Sequence, residues 1–389
     1  MRAVFDNIVF GLQKTGGISV VWYELLRRIL EDNSFECCVL DYAGNNLFKD
    51  SLELRNVEVV NMGGCLPLVR YFPVCIKDNE PFLFHSSYYR TCTASRAINI
   101  TTVHDFTYEK YRNGLAARVH HWQKSAAIRK SDAVVCISEN TKRDLLTYLP
   151  DVDENKIVVI YNGVSDDYYP KRDANLDVPF QEYSYLLYVG SRETYKNFRV
   201  CVEAAAISGK NLLIVGKPLS ENEKLFVENI LPPSRYCVQS SVPNSRLNVL
   251  YNYAYALLYP SSYEGFGIPV LEAQKAGCPV VAMNRSSIPE VIGETPLLIN
   301  NADAMEIVTK LALLNDATIR NNIMGLGIKN AKRFSWDIMY EGYKELYLTA
   351  FEKRLKANPG GAILWLRIND GQLKIDTFAV TLRERRVAA

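Results

Sequence analysis

Short apolar runs alternate with amphipathic stretches of helical period along two successive halves of the chain, the pattern of parallel sheets covered by helices on both faces. In the first half, strands are predicted at 2–9, 36–42, 57–60, 82–86, 98–104, 132–137 and 156–161, with helices at 18–31, 115–130 and 139–148. In the second, strands fall at 184–190, 211–216, 235–239, 255–259, 278–282 and 295–299, with helices at 197–208, 221–230, 243–252, 268–276 and 302–314. The fold class is therefore α/β, with two doubly wound, Rossmann-like domains in series.

Asn162-Gly-Val-Ser-Asp-Asp-Tyr-Tyr-Pro170 and the polar stretch to about 181 read as the linker and hinge. The expected boundaries are 1–163 for the first domain, 164–335 for the second, and 336–356 for a closing helix that returns to the first. Beyond Asn358-Pro-Gly-Gly361, the tail 357–389 alternates about Asn-Asp-Gly as a β-hairpin would, 362–368 pairing with 372–382.

Composition narrows the class. At 389 residues, 48% hydrophobic and 23% charged, the chain can bury two cores. A net charge of +2 gives no basic surplus for nucleic acid. Nine scattered cysteines without a C-x-x-C pair suit free thiols in a reducing cytosol. Asp6 inside the first apolar run suits a strand better than a signal peptide, and no window approaches the ~20 apolar residues of a spanning helix. The expected location is cytoplasmic. The four histidines, His85, His104, His120 and His121, lack ligand spacing with a carboxylate, so no protein-held metal is expected.

Four strand-to-helix junctions carry candidate chemistry. In Glu264-Gly-Phe-Gly-Ile-Pro-Val-Leu-Glu272, a glycine turn leads to a helix N-terminus, where N–H groups of Phe266, Gly267, Ile268 and Val270 would face an anion. Two carboxylates at an anion site make sense if the anion also bears hydroxyls, as a sugar nucleotide does. Alone, the segment fits equally well a common Gly-rich βα loop. Lys14-Thr-Gly16-Gly17-Ile-Ser19 puts a second helix N-terminus in the other domain. Gly190-Ser-Arg192-Glu-Thr-Tyr-Lys196-Asn197 places two cations four residues apart after a strand, suited to a diphosphate. His104 ends a strand in Thr102-Val-His104-Asp105 and should border the cleft.

Together these elements resemble the retaining glycosyltransferases of the GT-B fold, family four, over about residues 1–350. The resemblance rests on Pro260-Ser-Ser-Tyr-Glu-Gly-Phe-Gly-Ile-Pro-Val-Leu-Glu-Ala, with support from the Gly190–Asn197 segment, Tyr161-Asn-Gly-Val164, Ser287-Ile-Pro-Glu-Val-Ile-Gly293, Val134-Val-Cys-Ile-Ser138-Glu-Asn-Thr-Lys-Arg143 and Phe334-Ser-Trp336. It implies a GT-B architecture, two Rossmann-like domains facing a central cleft, with 1–163 binding the acceptor and 164–335 the nucleotide sugar. It also implies that Arg192 and Lys196 neutralise the donor diphosphate, that Glu272 accepts the ribose hydroxyls, and that Glu264 with the Phe266–Ile268 backbone holds the donor sugar. Gly16 and Gly17 would close onto the phosphate, and His104 would reach the donor from the acceptor side.

No cofactor or metal is implied beyond the nucleotide-sugar co-substrate, with GDP-mannose the favoured donor. The acceptor would be a saccharide or polyprenyl-linked saccharide of bacterial cell-surface polysaccharide synthesis. Two carboxylates invite the glycosidase scheme of acid plus nucleophile. With Glu272 on the ribose, a front-side transfer in which the departing phosphate takes the acceptor proton replaces it. The basic, aromatic segment 110–130, with Tyr111 and Trp122, reads first as a solvated helix face and second as a candidate for peripheral contact with the cytoplasmic face of the inner membrane. Two other classes stay open, a nucleotide-sugar epimerase and a non-catalytic glycan or sugar-nucleotide binder. The absence of G-x-G-x-x-G argues against a dehydrogenase.

Overall fold

The computed structural model describes residues 1–54, 57–76, 78–171, 177–357, 364–369 and 372–377. Two wholly parallel sheets organise them. The first has seven strands: β1 (Arg2–Asp6), β2 (Glu36–Tyr42), β3 (Glu58–Met62), β4 (Phe82–Ser86), β5 (Ala97–Val103), β6 (Ala133–Cys136) and β7 (Ile157–Val159). Their spatial order is β3-β2-β1-β4-β5-β6-β7, which reverses beside β1, the switch point where ligands bind in such sheets. The second has six: β8 (Tyr185–Val189), β9 (Asn211–Val215), β10 (Tyr236–Gln239), β11 (Ala256–Tyr259), β12 (Val280–Met283) and β13 (Leu298–Ile299), in the order β10-β9-β8-β11-β12-β13. Strands covered by helices on both faces read as unbroken apolar runs. Every residue of β4, β5, β6, β11 and β12 is buried.

The first strand is shorter than its apolar run suggests. Asp6 ends it by accepting from Ser86 Oγ at 2.8 Å and Arg90 at 3.0 Å, so a carboxylate occupies the strand's C-terminal edge. Ile8–Leu12 then forms a short helix, because Asn7 receives the Phe10 N–H at its carbonyl and Trp22 Nε1–H at its side chain. Helical and extended apolar segments of this length share one sequence pattern.

The last helix, Trp336–Ala357, lies on the first sheet, although it follows the second in sequence. Tyr347 and Tyr343 enter the first core, where the Tyr347 hydroxyl pairs with His85 Nδ1 at 2.6 Å and the Tyr343 hydroxyl with Thr102 Oγ1 at 2.9 Å. Burial lowers the His85 pKa to about 3, so the ring is a neutral bridge in the core. Arg28–Asp337 and Arg354–Asp132 pairs fasten the helix ends at 2.6 and 2.9 Å.

The chain crosses between domains twice, near Gly163 and near Ser335–Trp336, and the crossings touch. A β-carbon at Gly163 would lie 2.3 Å from the Trp336 nitrogen, so only glycine allows that approach. The described part of the expected linker is packed on the second domain: Tyr168 is buried, and the Tyr169 N–H bonds Asn248 Oδ1. In the tail, Leu364–Asn369 pairs antiparallel with Gln372–Thr377, and the rest of the expected hairpin lies outside the described residues.

Candidate active site

The Glu264–Glu272 turn follows β11, and its two carboxylates have opposite surroundings. Glu264 accepts from Lys196 Nζ at 2.5 Å, an ion pair that is itself mostly buried. Lys196 lies over the rings of Tyr195 and Tyr259 at 5.4 and 5.8 Å. Three hydroxyl contacts fix the turn's backbone. Ser286 and Ser287 donate to the Glu264 carbonyl, the latter at 2.9 Å, and Ser287 also reaches the Phe266 carbonyl at 2.9 Å.

Gly267 takes a left-handed conformation, φ 108°, as it caps the helix Ile268–Lys275, a position that favours glycine. The Val270 N–H bonds the Gly267 carbonyl at 3.0 Å. It therefore leaves the set of anion donors expected from sequence, because it already closes the first helical turn.

Glu272 sits on that helix and accepts from Tyr251 hydroxyl at 2.9 Å, with Tyr168 a second hydroxyl partner. Burial dominates over these bonds and pushes its carboxyl up to about 7 from 4.5. Tyr168 comes from the stretch read as linker and also meets Asn244 at 3.2 Å, so three segments build one carboxylate environment.

Arg192 and Lys196 do not act on one point in this arrangement. Arg192 donates from Nε and a terminal nitrogen to Glu223 at 2.7 and 3.2 Å, and to the carbonyls of Lys217 and Pro218 at 3.0 and 2.8 Å. Its guanidinium thus pins the loop after β9 to the helix Glu221–Glu228. Glu223 in turn serves as the partner of Ser220 in a capping box, and the Arg192 bonds hold its carboxyl down at about 2. Fixed spacing after a strand does not decide which side of the loop a cation takes.

The first domain supplies the opposite wall. His104 directly follows β5, half-buried, and burial lowers its pKa to about 4, which leaves a neutral ring at physiological pH. Its carbonyl oxygen lies against the second domain: a β-carbon at Gly265 would come within 2.0 Å of it. The Gly265 carbonyl accepts from Ser138 Oγ at 2.7 Å and Thr141 Oγ1 at 3.3 Å. Tyr263 hydroxyl accepts from the Phe106 N–H and donates to Asp144, both at 2.8 Å. Glu290 accepts the N–H groups of Glu139 and Asn140 at 2.9 Å, capping helix Glu139–Tyr148 from the other domain. The Ser138 and Ser287–Gly293 segments had no assigned role in the sequence, and this clamp is their role. Gly16 and Gly17 open the helix Gly17–Glu31, and a β-carbon at Gly17 would meet nothing within 4 Å, so its backbone is open to close approach. Among the described residues, no group of three His, Cys, Asp or Glu side chains is placed to hold a metal ion.

Two facing Rossmann-like domains with a glycine-turn carboxylate pair at the cleft define a GT-B glycosyltransferase. The chain belongs to glycosyltransferase family four. The family pattern described as "Glycosyltransferase Family 4" matches residues 15–168, and "Glycosyl transferases group 1" matches residues 176–332. The O-antigen chain mannosyltransferase B of Escherichia coli is 30% identical over 283 residues, 67% of this chain and 73% of that protein. A serotype-specific mannosyltransferase WbdA of the same species is 24% identical over 63% of this chain, which spans only 32% of its length. Among solved structures, Anabaena Alr3699/HepE in complex with UDP-glucose superposes with a TM-score of 0.70 at 13% identity, over 90% of this chain and 100% of that one. Sucrose-phosphate synthase from Thermosynechococcus elongatus gives 0.68 at 16% identity, over 90% and 99%. No described helix is long and apolar enough to cross a membrane.

Proposed function

We propose that this glycosyltransferase moves a mannosyl unit, with retention and without a required metal, from GDP-mannose to a saccharide or polyprenyl-linked saccharide in cell-surface polysaccharide synthesis. The observation that carries the reading is the mostly buried Lys196–Glu264 pair at 2.5 Å on the turn that ends in Glu272. The mannosyltransferase relatives, one of them an O-antigen chain enzyme, support the sugar and the pathway class.

In this reading Lys196 and the glycine-lined helix N-termini meet the diphosphate, while Arg192 acts one step back by shaping the loop beside them. The anomeric carbon–phosphate oxygen bond breaks, and a bond to the acceptor oxygen forms on the same face. The acceptor proton passes to the departing phosphate oxygen. Glu264, ion-paired to Lys196, holds sugar hydroxyls and stays uncoupled from the anomeric carbon. The helix Leu115–Lys130 turns Leu115 (77% exposed) and Trp122 (65% exposed) outward beside exposed Arg118 and Lys130, which supports peripheral contact with an anionic membrane surface.

The test is incubation with GDP-mannose, UDP-glucose and other sugar nucleotides, with and without EDTA. GDP release from GDP-mannose in both conditions is the expected result. Interconversion of the sugar without nucleotide release would establish the epimerase, and no turnover with tight binding the glycan binder. Loss with EDTA that added metal restores would remove Lys196 as the main counter-charge.

A further inference from the structure

Both crossings between the domains meet the Glu264–Glu272 turn through aromatic rings that no step of the donor chemistry uses. Phe266, in the turn, is buried against Tyr161 and Phe334, with ring centroids 6.0 and 5.7 Å away, and those two rings meet each other edge-on at 5.6 Å. Tyr161 stands just before Gly163 on the first crossing, and Phe334 just before Ser335–Trp336 on the second. The glycine turn thus shares one ring cluster with both places where the chain passes from domain to domain.

A polar connection runs beside the rings. The Glu290 carboxylate, on the short helix Ile288–Ile292, takes the Glu139 and Asn140 N–H groups at 2.9 Å and the Tyr161 hydroxyl at 3.1 Å. Burial, with Glu290 beside it, pushes that hydroxyl up to about 12, so it stays a donor at neutral pH. At the head of the same short helix, Ser287 holds the Glu264 and Phe266 carbonyls, and Ser286 Oγ accepts the Glu264 N–H at 3.2 Å while donating to its carbonyl at 2.6 Å. Ser286 does so at φ 59°, a left-handed conformation that a serine keeps only where its surroundings hold it. From the first domain, Ser138 and Thr141 grip the Gly265 carbonyl, and they belong to the first turn of the helix whose N–H groups Glu290 takes. The contacts close a ring from Glu264 through Ser286, Ser287 and Glu290 to that helix and back to Gly265. Parting the domains breaks it at Glu290 and Gly265 together.

We propose that Glu290 and Tyr161 are positioning residues for transfer: they tie the angle between the domains to the backbone of the Glu264 turn, so that Glu264 and Lys196 take their working places when the domains are joined. This rests on the proposed glycosyl transfer. Both residues act through the turn and not on the donor, whose ribose and diphosphate are met by Glu272, Lys196 and the helix N-termini. Chemistry therefore depends on this pair more than donor binding does.

The test compares Glu290→Gln, Tyr161→Phe and the double variant in the full chain, by transfer from GDP-mannose, or from the sugar nucleotide that the donor screen selects, and by hydrogen exchange of the segment Ser261–Phe266, which carries the Glu264 N–H. Glu290→Gln turns an NH2 against one of two N–H groups, so kcat should fall about 10–100-fold, the range for losing charge-assisted bonds, with the donor KM within about threefold of wild type. Tyr161→Phe should lower kcat about fivefold, and the double variant should match Glu290→Gln within about twofold, because the hydroxyl acts through that carboxylate. The Glu264 N–H should exchange about tenfold faster in Glu290→Gln, whereas β8 and β11 keep the wild-type rate. Tyr161→Phe deletes a single oxygen and carries the same test, in smaller measure, if Glu290→Gln does not fold. Unchanged kcat, a donor KM that rises as far as kcat falls, independent losses that multiply in the double variant, or a loss of kcat with wild-type exchange at Glu264 overturns the proposal. Faster exchange at Glu264 in a chain that releases nucleotide from no sugar nucleotide leaves the tie between hinge and turn standing and removes the transfer reading alone.

Discussion

Lys196→Ala is expected to lower kcat by about 10²–10³-fold and to weaken donor binding as well, the range seen when one preorganised group facing developing charge is removed. Lys196 is the cation paired with Glu264 at 2.5 Å, on the turn where the leaving diphosphate would gather charge. Its removal leaves a mostly buried carboxylate uncompensated beside an incoming anion, so ground state and transition state both suffer. Lys196→Arg should not restore activity, because Tyr195 and Tyr259 lie within 6 Å of the ammonium and leave space for a compact head. Arg192→Ala should behave differently. Its bonds go to Glu223 and the Lys217 and Pro218 carbonyls, so the donor KM and the melting temperature should change more than kcat. Steady-state kinetics of the three variants against a fixed acceptor measure this. Equal kcat losses in Lys196→Ala and Arg192→Ala would put both cations on the diphosphate, and unchanged kinetics in Lys196→Ala would remove it from the site.

That contrast shows where sequence reasoning stops. Elements whose burial follows a simple period were legible: β2 and β4 and the helices 115–130 and 139–148 have the bounds their apolar patterns predict. The turn chemistry at Gly267 was legible too, since a strand, a glycine in a left-handed cap and a helix leave few other geometries. Side-chain destination was not. Arg192 and Lys196 share a loop of irregular backbone, where alternation does not fix the direction of a side chain, and Glu223, thirty-one residues away, captures one of them. Contacts between domains were equally hidden. Ser138, Thr141, Tyr263 and Glu290 each carry an ordinary polar side chain, and only their meeting across the cleft gives them a function. Tyr168 falls in a stretch whose polar, acidic sequence predicts a linker, yet its ring is buried beside Glu272.

Glu272 gives the second large effect, through pH. Its carboxyl is pushed up from 4.5 to about 7 by burial, against the opposing bonds from Tyr251 and Tyr168. Below pH 7 the free enzyme therefore holds it protonated, and a protonated carboxyl accepts ribose hydroxyls poorly. Donor affinity should strengthen as pH rises from 6 to 8 and then level off, whereas donor diphosphate stays fully ionised throughout. His104 and His120, both lowered to about 4, do not titrate in that window. The stability effect has the opposite sign. The folded form binds the proton more tightly than the unfolded form, so this group's contribution is fully present below about pH 4.5 and is lost as pH rises through about 7. Glu272→Gln keeps the shape and an acceptor oxygen for Tyr251 but cannot ionise. It should bind donor about tenfold more weakly than wild type at pH 8, show no pH dependence between 6 and 8, and melt no lower than wild type at pH 8. Calorimetric titration of the nucleotide sugar at three pH values decides it: a flat wild-type profile, or the same slope in Glu272→Gln, would separate this carboxylate from the ribose. A carboxylate that weakens the fold at neutral pH would be retained if its ionised form binds the donor, and the titration reads that directly.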